Sequence, residues 1–444
     1  MNNLVWFGNN LRVADNRALL EACKGGKVIG VFCFDPRWQQ EGDFGFRKMG
    51  RYRARFLIET VTNLQKSLKK LNISLLVFHD TPENILPKII DKHDIQSIML
   101  QEEWTRDEKR VMQRVRQATP ENIGWRYFYD QFLYHPDDLP YPEPKNIPEV
   151  FTEFRKRLEA DAQIRPVEQG IQAMPETNLL QEFSEIPTLE SLGYEHFETD
   201  PRTAFPFKGG EEHAMERVEE YFWEKRKLSY YKKTRNGLLG KDYSSKFSAW
   251  LANGSISART IYREVKNYET EVVKNQDTYW LVFELLWRDY FKYISMKHGD
   301  AIFSSGGIKK KSENWQHNQG VTDRWISGST TSPFVNANMK ELAHTGWMSN
   351  RGRQNAASFW SRELHQDWRI GAAYFECMLI DYDVHSNWGN WMYNSGVGND
   401  PRDRTFNTEL QAQRYDPSGR YRRLWLQDSL FAPIDAKTTY PAGS

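Results

Sequence analysis

Two hydrophobic rhythms divide this chain, and the change from one to the other limits the folds open to it. Through the first 130 residues, short apolar β-rich runs at 4–7, 28–34, 74–79 and 97–101 alternate with helical stretches at 16–24, 51–71 and 83–92. In the longest of these, Phe56, Val61, Leu64, Leu68 and Leu71 fall at helical spacing with lysines opposite. Alternation of this kind predicts a parallel sheet with helices on both faces, a Rossmann-like doubly wound α/β domain over 1–130. No GxGxxG follows the first run, and no GxxxxGK precedes a Ser or Thr anywhere. A dinucleotide or ATP site of the common kinds therefore has no support.

From residue 209 the strand signals fade. Helical periodicity recurs at 211–227, 244–253, 257–268, 279–297, 336–346, 354–365 and 371–382, with Ser257 and Asn336 as candidate N-caps. An all-α domain is expected over 208–432, followed by a short tail, 433–444. Between the two parts, 131–207 combines a Pro-dense piece, one short helical segment and an acidic stretch, the composition of a connector.

Composition narrows the function classes. No run of about 18 apolar residues exists, so no membrane span is expected. The first ten residues lack a basic region followed by an apolar core, so a cytoplasmic location is expected. Cys23, Cys33 and Cys377 show no paired spacing, which speaks against a disulfide scaffold or a structural metal site. Net charge is −5 over residues 1–200 and +6 over 201–444, and 12 of the 16 Trp lie in the second part. A basic, Trp-rich helical domain suits a polyanion or a ring-shaped cofactor.

Several segments of that domain are long and distinctive: TRNGLLGKDYSSKFSAWLANGSISAR (234–259), ELLWRDYF (284–291), TGWMSNRGRQNAASF (345–359), DWRIGAAYFECMLIDYDVHSNWGNWMY (367–393) and GVGNDPR (396–402). Together with the N-terminal LVWF, NLR and DN, they resemble the photolyase/cryptochrome family, and NRGRQ, NWGNWMY and GVGNDPR resemble its DASH branch. The resemblance runs from Leu4 to about Leu430.

It implies an FAD cofactor in the helical domain. Ser244, Ser245, Lys246, Phe247 and Ser248 match the phosphate-binding stretch, where hydroxyls, backbone N–H groups and an ammonium suit a pyrophosphate. Tyr231, Arg288, Trp347, Asn350, Tyr382 and Asp383 are implied neighbours of the cofactor. Asp381 is implied to pair with Arg353 beside the isoalloxazine ring, where a fixed cation favours an anionic reduced flavin. Asn387 matches the residue facing flavin N5. Trp391, Trp368 and Trp315 match a three-step electron relay.

The same resemblance implies DNA as the partner. Glu284 and Trp287, three apart on one predicted helix, match the lining of a pocket for a flipped pyrimidine dimer. Tyr393 stands where many duplex-acting relatives carry Trp. A smaller ring repays less of the few kcal/mol needed to flip a base pair, so single-stranded substrates are expected. Arg235 and Arg351 match DNA-contacting positions, and Lys309, Lys310 and Lys311 are further candidates. The implied reaction is light-driven repair of cyclobutane pyrimidine dimers by electron transfer from reduced FAD, with no metal, in a monomer. The alternative within the same fold is a blue-light photoreceptor acting through a partner. A methenyltetrahydrofolate antenna is implied in the N-terminal domain, with Glu108 as a pterin contact. Two departures touch it: the family's WFRxDLR reads WFGNNLR here, with Gly8 and Asn10 in place of Arg and Asp. Ser332 and Asn336 depart from the family's Gly and Asp at a helix start.

Overall fold

The computed structural model describes residues 1–182 and 184–427. Five strands form one wholly parallel sheet: β1 (Asn2–Trp6), β2 (Val28–Cys33), β3 (Ser74–Phe78), β4 (Ile95–Gln101) and β5 (Gly124–Phe128), in the order β3-β2-β1-β4-β5. Period-two alternation sends Val5, Phe32, Leu75 and Met99 to one face, against helices Arg17–Ala22 and Arg51–Lys70. Leu4, Val31, Leu76 and Ile98 go to the other, against helix Pro82–Lys92 and Val115. Both faces are covered, as a doubly wound sheet requires. Two elements were not foreseen. Strand β5 (GWRYF) is an edge strand with no fully buried residue, and helix Arg106–Ala118 buries only Val115. Neither needs an apolar run, so neither shows one.

After Phe128 the described residues contain no further strand, only the isolated bridge between Gln316 and Gln366. Helix Ala258–Glu271 is capped by Ser257, whose side chain accepts from the Thr260 N–H. The expected helix at 336–346 is Pro333–Thr345, and its cap is Ser332, not Asn336. Asn336 lies inside the first turn, where its Oδ1 accepts from the Thr330 amide and hydroxyl. The helix at 371–382 is Trp368–Met378. It stops before Asp381, and Asp383 caps a separate helix, Val384–Ser395. Helices Gln319–Ile326, Thr408–Tyr415 and Arg420–Leu426 were not foreseen.

The sheet and the helices meet through the NLR segment. The Leu11 amide donates to the Asn253 carbonyl at 3.2 Å, and buried Arg12 donates to the Gly254 carbonyl at 2.9 Å. Gly254 is obligatory here: its φ is +74°, and an added Cβ would lie 2.0 Å from the Asn9 carbonyl oxygen. Beside this contact, buried Asp15 takes two hydrogen bonds from Arg259, at 2.8 and 3.0 Å.

Candidate functional site

The stretch at 241–247 is a loop, not the first turns of a helix; helix Ser248–Asn253 starts only after it. A buried arginine absent from the sequence reading shapes it. Arg217, 1% exposed, donates to the carbonyls of Lys241, Ser244 and Ser245 and pairs with Asp242 at 2.9 Å. With its carbonyls drawn to Arg217, the loop turns at Lys246, which has φ +68°. The Lys246 ammonium is buried and has no hydrogen-bond partner among the described residues. It lies 3.2 Å from the centroid of the Tyr243 ring and 4.7 Å from that of Trp347. Burial pushes its pKa well below the usual lysine range, with Glu341 opposing the shift. An unpaired buried lysine is costly, so this side chain fits an anion that completes the site. Tyr231 is buried and hydrogen-bonds Ser245. Trp347 stacks on Phe205 at 4.7 Å and donates to the Tyr243 hydroxyl at 3.1 Å.

Next to the loop, Arg353 reaches both oxygens of Asp381 at 2.9 Å, and Ser248 donates to Asp381 at 2.6 Å. The implied Arg–Asp pair therefore exists, tied to the first residue of the helix that follows the loop. Asp383 does something different. It caps Val384–Ser395 by accepting from the Ser386 N–H, and it pairs with buried Lys292 at 3.1 Å. Burial alone would raise its pKa, but Lys292, His385 and Arg288 outweigh burial and hold it far below the usual carboxylate range. Asn387 is buried one turn into this helix, its amide donating to the Ala372 carbonyl at 3.0 Å. Arg288 is occupied by backbone: it donates to the Leu251 carbonyl at 3.1 Å and to that of Gln131. Asn350 begins helix Asn350–Ser358 and is exposed. Tyr382 points elsewhere. Arg53 sits 4.5 Å over its ring, Trp388 donates to its hydroxyl at 3.3 Å, and it hydrogen-bonds Glu376.

The three implied relay tryptophans lie in one region without forming one stack. Trp391 meets Phe375 at 5.0 Å and Trp325 at 6.1 Å, and its ring lies against Gly371, one turn along the helix from Trp368. Trp368 and half-buried Trp315 both donate to the Ser305 carbonyl at 3.0 Å. Trp388 touches Trp368 edge to face at 5.7 Å.

Helix Gln276–His298 carries the implied dimer-pocket residues. Glu284 accepts from Arg235 at 2.7 Å, so Arg235 is an ion-pair partner of Glu284 rather than a free cation. Burial raises the pKa of Glu284, and Arg235 opposes the shift. Trp287 meets Tyr393 edge to face at 5.9 Å, and its face is stacked on Phe151 at 3.6 Å. Arg404 donates to the Tyr393 hydroxyl at 2.7 Å. Arg351 donates to Asn236 at 3.0 Å and lies over Tyr415. Of the three lysines, Lys309 bonds the Asp400 carbonyl and Lys311 pairs with Asp403, leaving Lys310 exposed at φ +52°.

Beyond the carboxyl ends of β1 and β4, where the strand order reverses, several acids gather. Half-buried Glu108 accepts from the Thr105 hydroxyl, and Glu103 accepts from Gln101 at 2.8 Å. Burial raises Glu108 above the usual range and pushes Glu103 and the nearby Glu376 up to about 7. The Gly8 amide donates to Asn10 Oδ1 at 3.0 Å, while Asn10 Nδ2 is buried without a partner among the described residues. Nothing lies within 4 Å of where a Gly8 Cβ would stand.

Comparison with known proteins agrees with this layout. Residues 3–176 match the DNA photolyase family, and residues 280–437 match the FAD binding domain of DNA photolyase. A Cryptochrome DASH from Gloeobacter violaceus is 48% identical over 96% of this chain and 85% of its own length. The Cryptochrome DASH of Xenopus laevis is 44% identical over 95% and 81%. The crystal structure of a Synechocystis cryptochrome superposes with a TM-score of 0.91 at 44% identity, covering 96% of this chain and 88% of that one. A class III photolyase from Agrobacterium tumefaciens gives 0.79 at 25% identity, covering 96% and 86%. The C-terminal helical part is thus an FAD-binding domain, and no helix among the described residues is long and apolar enough to cross a membrane. With relatives of this similarity along nearly its whole length, the chain belongs to the photolyase/cryptochrome family, among the DASH cryptochromes.

Proposed function

We propose that this chain repairs cyclobutane pyrimidine dimers in single-stranded DNA under blue light. The observation that carries the reading is the wall on helix Gln276–His298. There Glu284 and Trp287 share one face, and Trp287 meets Tyr393 edge to face. The loop 241–247 would hold FAD, which when bound would supply the photochemistry as a one-electron donor and acceptor. Lys246 is the group that holds its diphosphate, since its buried ammonium is unpaired without one. Arg353, fixed by Asp381, supplies positive charge beside the ring system, which lowers the cost of added negative charge in a pocket shielded from water. Asn387 offers a neutral amide that does not ionise.

The work of the remaining residues is positioning. Glu284, held at 2.7 Å by Arg235, presents a carboxylate that accepts hydrogen bonds from an imide N–H. Trp287 and Tyr393 form an apolar corner for the dimer, and Phe151 fixes the Trp287 ring from behind. Tyr393 fills less of that corner than an indole would. The energy returned on flipping is then smaller, and unpaired substrates are favoured. Trp391, Trp368 and Trp315 supply oxidisable rings between the pocket and the surface.

The acidic cluster beyond β1 and β4 suits a second chromophore of the folate type. Glu108 and Glu103 accept from a pterin, Asn10 Nδ2 is a free donor, and Gly8 leaves open the space a side chain would fill.

The deciding experiment is blue-light repair of one thymine dimer in matched single-stranded and duplex oligonucleotides, with the flavin reduced beforehand. Repair of the single strand with little repair of the duplex is the expected result. No repair of either refutes the enzyme reading and leaves the photoreceptor role.

A further inference from the structure

Among the described residues every Trp, Tyr and Phe side chain but one is buried or half-buried. Tyr230 is 56% exposed, the only Trp, Tyr or Phe among the described residues that is exposed. The Lys233 ammonium lies 5.9 Å from the centroid of its ring. It sits in KRKLSYYKKTR (225–235), which holds six basic residues and no acidic one. Lys225 is neutralised by Glu220 and Asp242, and Arg235 by Glu284. Arg226, Lys227, Lys232 and Lys233 form no ion pair with any carboxylate among the described residues.

This segment is docked on the helix that carries the dimer wall. The Lys233 amide donates to Asp277 at 3.2 Å, Lys232 lies 4.3 Å over the Trp280 ring, and Arg235 holds Glu284. Asp277, Trp280, Glu284 and Trp287 recur at steps of three and four, so they form one stripe about 15 Å long. Tyr230 and its lysines lie at the Asp277 end of that stripe, and Trp287 and Tyr393 at the other. Trp280 stacks on Phe283 at 4.5 Å, which makes it a rigid plane.

We propose that Tyr230, with Lys232 and Lys233, is a platform for the unpaired nucleotides that flank the dimer. The exposed ring stacks a base, and the two ammonium groups neutralise the adjoining phosphates. This rests on the dimer-repair reading and adds to it a second source of single-strand preference. A base inside a duplex has both faces covered by its neighbours, so an exposed tyrosine offers it nothing, whereas an unpaired base gains a stacking partner. Charge complementarity identifies the occupant as nucleic acid. Four cations without a carboxylate partner, all within four residues of one solvent-facing aromatic ring, are the pattern of a sequence-tolerant single-strand groove.

The test uses the full chain carrying its flavin and an undamaged, fluorescently labelled oligo-dT single strand, read by anisotropy. Tyr230→Ala is expected to weaken binding about 5- to 150-fold, the range for loss of one base–aromatic stack. Tyr230→Phe should keep most of the affinity, and binding to a duplex should change little in either variant. Lys232→Gln with Lys233→Gln should flatten the slope of log affinity against log salt by about 1.4, two single-strand phosphate contacts. Equal single-strand affinity for wild type and Tyr230→Ala overturns the proposal, as does an equal loss on duplex. If a Tyr230-dependent single-strand affinity is found but no dimer is repaired, the platform stands and the repair reading falls. If dimers are repaired equally by wild type and Tyr230→Ala with equal strand affinity, the reverse holds.

Discussion

Replacing Lys292 by Met should destabilise the chain through a residue that remains, Asp383. The two side chains are 5% and 11% exposed and 3.1 Å apart, so neither charge has much access to water. Removing one partner of such a pair costs about 3–5 kcal/mol, because the other charge is left buried and uncompensated. If the chain unfolds as one unit, about 2.1 cal/mol/K per residue over 444 residues makes that a drop of about 3–5 °C in melting temperature. The pH dependence gives the cause away. In the wild type Asp383 is held below its unfolded pKa, so its contribution is present above about pH 4 and is lost only as pH falls through the depressed folded value. In Lys292→Met the largest opposing charge is gone while His385, Arg288 and the Ser386 amide remain, so the folded pKa rises from its depressed value. The deficit is then largest near neutral pH and shrinks as the medium becomes acidic and the carboxyl protonates. The assay is thermal unfolding followed by circular dichroism between pH 3 and pH 8, with Lys292→Met/Asp383→Asn as the control that removes both charges and regains most of the loss. A deficit independent of pH, or one equally large in the double variant, refutes the ion-pair account and leaves a simple packing defect.

Two further outcomes follow from the site. Lys246→Met should lower FAD affinity about 10- to 100-fold, the loss of a charge-assisted contact, while leaving the FAD-free protein as stable as the wild type or more so, because an unpaired buried ammonium disappears; flavin titration and thermal unfolding of the FAD-free protein read the two effects separately. Tyr393→Trp should raise the ratio of duplex to single-strand repair, because a larger ring beside Trp287 returns more of the flipping cost; an unchanged ratio would assign strand preference to contacts outside this corner.

What could be read from the sequence and what could not separate along a physical line. Strands β1 to β4 were legible as apolar runs because the sheet buries both of their faces, and the long amphipathic helices because burial of one face imposes a period. Strand β5 and helix Arg106–Ala118 were not, since a strand with no fully buried residue and a solvent-facing helix need no apolar run. The cap lies one turn before Asn336: Ser332 and Asn336 are both good capping residues, and Pro333 decides between them, because Pro favours the first helical position and so points to the residue before it. Within the site, Arg353–Asp381 and Glu284 were reached by resemblance, and no spacing in the sequence brings those partners together.

The groups that organise the site were missed, yet each had left a mark. Arg217 falls on the stripe Ala214, Arg217, Val218, Tyr221, and Lys292 on the stripe Leu281, Leu285, Asp289, Lys292; all of these are buried. A charge at an apolar position of a helical period is expensive unless something distant meets it. In both cases something does: the carbonyls of the loop 241–245 for Arg217, and the cap of helix Val384–Ser395 for Lys292. These two cations fix the two segments that matter most to the proposed chemistry, the phosphate loop and the helix bearing Asn387, Trp391 and Tyr393. Arg217 also pairs with Glu220 in the next turn, but the loop and the cap that the two cations hold lie 24 to 91 residues away, so periodicity could flag the anomaly without naming its solution. A charged residue that interrupts an apolar stripe is therefore the place to look for the scaffold of a site, even where the site residues themselves carry no periodic signal.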